Sequence, residues 1–142
     1  MNVKAFKYLS PALMYIMAWL AFTQTGWLTW CPMIYAWVLL PLAELFIKPD
    51  EKNMNAAEEE LAKNNTLYDF MLYLVVVLQF IALYKFLSVI TEFNITWWEI
   101  TGRVFTMGLL CGTFGINAGH ELGHRVNKME QVLAKALLMT SL

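Results

Sequence analysis

The chain has 142 residues, 59% hydrophobic and only 15% charged, with a formal net charge of -1 and a mean hydropathy of +0.51. Soluble domains average about 45–50% apolar and about 25% charged residues. The apolar excess falls in long runs, which excludes an ordinary soluble domain and predicts an all-α membrane protein, a helical transmembrane bundle. The near-neutral charge and the lack of a basic stripe exclude nucleic acid as a partner.

Lys4 and Lys7 precede an apolar run from Leu9, an arrangement that imitates a signal peptide. No small-x-small cleavage site follows and hydrophobicity resumes almost at once, so the stretch reads as a retained anchor. No charge occurs between Lys7 and Glu44, a run of 36 residues. That is too long for one helix across a core about 30 Å thick, but it suits a hairpin of two. Thr25-Gly26 and Cys31-Pro32 supply the break. The first span is therefore predicted near residues 8–25 and the second near 29–47, with a kink at Pro41.

Residues 48–66 carry Lys48, Asp50, Glu51, Lys52, Glu58, Glu59, Glu60 and Lys63 and read as a water-exposed loop. A third span is predicted near 67–90 and a fourth near 96–118, opened by Trp97 and Trp98 at the interface. With the N-terminus inside, eight of the ten basic residues lie on the cytosolic side, and the even number of crossings returns the chain there before His120. Cys31 and Cys111 are 80 residues apart in apolar surroundings and read as free thiols.

On a straight fourth helix, Gly108, Gly112, Gly115, Gly119 and Gly123 share a stripe about 80° wide, suited to close approach of a neighbour. Thr106, Thr113, Asn117, His120 and His124 form a second, polar stripe, which either meets another helix through hydrogen bonds or, the favoured reading, lines a cavity leading to the histidines. The segment 117–142 is predicted to lie on the cytosolic side, ending in an amphipathic helix.

His120 and His124 are the chain's two histidines, and their i, i+4 spacing projects both imidazoles from one helical face. That is the geometry of a bidentate metal clamp, although a catalytic zinc needs three protein ligands and an iron pair more. Asn117 and Glu121 are candidates to support the ligands, as is Arg125. Glu44, at the inner end of the second span, lies at the depth of the clamp; the alternative is a plain interfacial carboxylate. His120-Glu121-Leu122-Gly123-His124 also matches H-E-x-x-H, so an intramembrane zinc metalloprotease is one reading. A non-catalytic membrane scaffold, its histidines paired with carboxylates, is another.

The longer segment Gly115-Ile116-Asn117-Ala118-Gly119-His120-Glu121-Leu122-Gly123-His124-Arg125 resembles the first histidine box of the integral-membrane alkane 1-monooxygenases, of the fatty-acid desaturase and hydroxylase superfamily. Leu40-Pro41-Leu42-Ala43-Glu44-Leu45-Phe46 is similar to the end of that family's second span, and the acidic 58–60 loop fits its next segment. The resemblance implies six transmembrane helices, of which four fall in this chain, and a histidine-rich centre of two non-haem irons on the cytosolic side of a bacterial inner membrane. It implies terminal hydroxylation of n-alkanes with O2 and with electrons from rubredoxin, itself reduced by rubredoxin reductase. His120 and His124 match the box-one iron ligands, and Glu121 then supports the ligand shell. Arg125 stands where the family usually has lysine, and Gly119 where alanine is more common. The later histidine boxes have no counterpart before Leu142, so the chain reads as an N-terminal fragment that lacks most metal ligands and is inactive alone.

Overall fold

A computed structural model describes residues 10–46, 66–92 and 94–141, and every regular element among them is helical. The predicted loop 48–66 lies almost entirely outside the described residues, as do Lys4 and Lys7. Helix α1 spans Ser10–Thr23, α2 Gly26–Phe46, α3 Thr66–Ile90, α4 residues 97–123 and α5 Lys128–Met139. Gly26–Phe46 and the Tyr68–Ile90 part of α3 are long and apolar enough to cross a membrane; Pro11–Thr23 is apolar but shorter. Helix α4 has the length but carries Glu99, Arg103 and its polar stripe, so two of the four predicted spans meet both the length and the apolarity a span requires.

Helices α1, α3 and α4 share one apolar core, formed by Met14, Ala18 and Phe22 of α1, Leu72, Val76 and Val89 of α3, and Met107, Leu110 and Leu122 of α4. At the end where α1 and α3 finish, Arg103 is 3% exposed and donates to the Gln24 carbonyl at 3.1 Å and to the Val89 carbonyl at 3.4 Å. One guanidinium thus satisfies carbonyls at the ends of two helices, where the peptide dipoles favour a cation. At the same end Thr96 and Glu99 form a capping box that starts α4. Glu99 also accepts from the Gly26 amide at 2.6 Å, and Gly26 needs its positive φ of 65° to turn into α2.

Helix α2 is not a single α-helix kinked at Pro41. It begins as a 3-10 turn at Gly26–Trp30 and widens into a π segment at Tyr35–Leu39. Pro41 has no N–H to give and its ring crowds the carbonyl of residue 37, so the turn before it opens and Leu40 N–H bonds Tyr35 O.

The fourth helix is not straight either. A second π segment at Cys111–Gly115 separates α-helical Trp97–Leu110 from Ile116–Gly123 and adds one residue to a turn. Everything beyond it is rotated by about 100° relative to the predicted wheel. The glycine stripe is therefore divided. A Cβ on Gly108 or Gly112 would have nothing within 4 Å, whereas one on Gly119 would meet Leu138 Cγ at 2.9 Å. The polar stripe is divided too: Thr106 is buried and donates to Thr29 O, while Thr113 and Asn117 are exposed.

After a turn at 124–127, α5 folds back along the second half of α4, with Ala134 and Leu138 against Gly119. Its end reaches a buried polar knot at mid-height of α3. Tyr15 donates to Gln79 Oε1 at 2.7 Å, and Gln79 Nε2 reaches Cys111 Sγ at 3.3 Å and Thr140 Oγ1 at 3.4 Å. Cys31 and Cys111 are both free thiols.

Candidate metal centre

The α-helical turn Ile116–Gly123 ends with His124 as its C-cap, still in right-handed helical conformation at φ -80° and ψ -8°. The His124 N–H donates to His120 O at 3.2 Å, so the two histidines stand one closed turn apart on one face. Both are exposed. Neither pairs with a carboxylate among the described residues. No group of three or more His, Cys, Asp or Glu side chains able to hold a metal occurs among the described residues. The donor set thus fits two positions of a metal shell and does not close it.

Beside this face runs a groove of about 340 Å³ between α1, α3 and α4, near the lower end of small-molecule sites at about 300–1,000 Å³. Thr113, Asn117 and Glu121, at i, i+4 and i+8, form a polar column along it, and Met71, Leu72, Val75 and Phe114 supply apolar wall. Asn117 donates to its own helix at Thr113 O, 2.7 Å, and lines the groove. Glu121 lines the same groove and is exposed. Glu44 is exposed on the Leu40–Phe46 part of α2 and has no hydrogen bond or ion pair among the described residues.

Arg125 is held between two carboxylates. Its Nη2 is 2.6 Å from Asp69 Oδ1 on α3, and its Nη1 is 2.9 Å from Glu130 Oε1 on α5. Tyr73 donates to the same Glu130 oxygen at 2.6 Å. Burial by itself would lower the Arg125 pKa, but the hydrogen bonds and charges of Asp69 and Glu130 raise it above the ordinary guanidinium value. The Tyr73 hydroxyl, and then Arg125, hold the Glu130 carboxyl below the usual carboxylate range. Asp69, Tyr73 and Glu130 are not visible in the sequence as partners, because they meet only once α5 folds back. The one signal is that Asp69 and Glu130 are acidic residues standing three and two positions into predominantly apolar helices.

No protein-family model matches the chain. It is 29% identical over 130 residues to the alkane 1-monooxygenase of Pseudomonas putida, covering 90% of this chain and 32% of that protein. It is 28% identical over 130 residues to the alkane 1-monooxygenase of Ectopseudomonas oleovorans, with the same coverage of 90% and 32%. Alkane 1-monooxygenase 1 of Alcanivorax borkumensis is 27% identical over 118 residues, 82% of this chain and 29% of that protein. The chain spans about a third of the length of the curated relatives it matches. The resemblance first carried by the histidine segment therefore extends along most of the chain, and together with the apolar helices it supports a membrane protein.

Proposed function

We propose that this chain is part of a membrane alkane 1-monooxygenase that converts n-alkanes to 1-alkanols on the cytosolic side of a bacterial inner membrane. The observation that carries this reading is the exposed His120–His124 pair beside a groove walled by apolar side chains, in a chain similar to alkane 1-monooxygenases over 82–90% of its length. His120 and His124 would hold iron, imidazole being a suitable ligand for it, and the remaining ligands of a two-iron site come from outside the described residues. When bound, non-haem iron supplies the activation of O2 needed to oxidise an unactivated C–H bond. The net reaction takes one alkane, one O2, two electrons and two protons to one alcohol and one water, with rubredoxin and its reductase supplying the electrons.

The protein's own residues perform the binding and orienting. Met71, Leu72, Val75 and Phe114 offer the hydrocarbon an apolar wall, and the groove borders α3, a helix long and apolar enough to cross a membrane, beside which an alkane can enter. Thr113, Asn117 and Glu121 give the groove a polar edge next to the histidine face, where an alcohol product can be hydrogen-bonded. The matched relatives are named as alkane monooxygenases, which supports the monooxygenase over the zinc protease reading of the same five residues. The test is to express the complete reading frame with iron and assay octane conversion to 1-octanol with rubredoxin, rubredoxin reductase and NADH. Peptide cleavage with one zinc per chain would instead establish the protease.

A further inference from the structure

We propose that Arg125, clamped between Asp69 and Glu130, is a positioning residue that presets His124 for bidentate metal binding with His120. This rests on the metal reading of the two histidines and adds three residues to it. His124 is the last residue of its helix in helical conformation, and a helix end frays unless something holds it. At the helix end, the His124 N–H to His120 O bond at 3.2 Å and the Arg125 N–H to Leu122 O bond at 3.3 Å fasten that turn.

The remaining hold comes from outside. The Arg125 fork reaches Asp69 on α3 with one nitrogen and Glu130 on α5 with the other, at 2.6 Å and 2.9 Å. Tyr73, one turn beyond Asp69 on α3, anchors Glu130 through its hydroxyl at 2.6 Å. Gln131 Nε2 donates to the Arg125 carbonyl at 3.0 Å, and Asn127 caps α5 through the Met129 N–H at 3.0 Å. The residue directly after a metal ligand is thus tied to two other helices by side chain and main chain together. A planar guanidinium can serve two carboxylates at once, which a lysine ammonium does with less fixed geometry. Removing the fork leaves His124 free to swing away from His120, and loss of such outer support costs about 10–100-fold in metal affinity.

The test uses the 142-residue chain in detergent and Cu2+–iminodiacetate as the probe, since that complex takes two imidazoles and requires neither iron, O2 nor alkane. Copper affinity and the electron paramagnetic resonance spectrum are compared for wild type, His120→Ala, Arg125→Ala, Arg125→Lys, Asp69→Asn and, as a control on the exposed face of α5, Lys135→Ala. The expected result is about tenfold weaker binding for Arg125→Ala and Asp69→Asn, approaching His120→Ala, with a broadened copper spectrum. Arg125→Lys should recover part of the loss and Lys135→Ala should match wild type. Circular dichroism identifies a variant that fails to fold; Asp69→Asn, nearly isosteric, then decides. Wild-type affinity in a folded Asp69→Asn or Arg125→Ala chain overturns the positioning role alone. Wild-type binding no tighter than His120→Ala overturns both it and the metal reading.

Discussion

The main-chain bond from His124 to His120, 3.2 Å long, closes the last turn of α4 at the point where the chain leaves the helix. Both imidazoles therefore belong to one rigid face only as long as that terminal turn stays wound. The neighbouring glycines help to keep it so. Gly119 lets α5 lie against α4, with Leu138 in the space a side chain would take, and Gly123 lies beside Ala134.

This gives a prediction for two glycines that look equivalent in sequence. Gly119→Ala places a Cβ 2.9 Å from Leu138 Cγ and should destabilise the protein by about 1–3 kcal/mol through overpacking. Gly108→Ala meets open space and should stabilise by up to about 1 kcal/mol through helix propensity. Thermal unfolding of the two variants in the same detergent reads the opposite signs.

The polar knot in the bundle makes a second prediction. Gln79 is fully buried and accepts from Tyr15 at 2.7 Å, so Gln79→Leu leaves a buried hydroxyl without its acceptor and should cost about 1–3 kcal/mol. Tyr15→Phe should also destabilise. The double variant should lose less than the sum of the two, by about 0.5–3 kcal/mol, in a double-mutant cycle measured by thermal unfolding.

The acid side of the stability profile should report Glu130. Its carboxyl is held below its ordinary value of 4.5 in the folded protein, by Tyr73 first and then Arg125, with Asp69 opposing as a like charge. A lowered folded value means stability that is complete above the ordinary value and is lost as the pH falls through the lowered one. Protonation removes the charge partner of Arg125, so melting temperature should drop across that window. Glu130→Gln should be less stable at neutral pH and show a flatter acid limb. An unchanged acid limb in Glu130→Gln contradicts the assignment.

The helices themselves were readable from the chain because membrane-length apolar runs and interfacial tryptophans follow directly from the cost of burying backbone and charge in lipid. The prediction of a third helix over 67–90 agrees with Thr66–Ile90. The start of the fourth near 96 agrees with Trp97, though that helix runs on to Gly123, past the predicted end at 118. The π segments were not readable. At Tyr35–Leu39 the clue was Pro41, read as a kink, while at Cys111–Gly115 no proline marks the wide turn. A helical wheel presumes 3.6 residues per turn, so one extra residue carried Gly108 and Gly119 to different faces.

Of the candidate site, the histidine pair could be read from spacing alone. Where Asn117, Glu121 and Arg125 point could not, since that depends on which helix lies opposite. Gln79, the single strongly polar side chain midway along α3, was a sequence signal for a buried hydrogen-bonding site that passed unread.

The most direct test of the central claim is production of 1-octanol from octane by the complete reading frame, reconstituted with rubredoxin, its reductase and NADH, with bound iron measured alongside. Turnover should depend on iron, with His120→Ala and His124→Ala each losing bound iron and at least about 100-fold in activity, the scale of lost ligands being no smaller than that of the groups supporting them. Undiminished iron content and alkane oxidation in those two variants would contradict it.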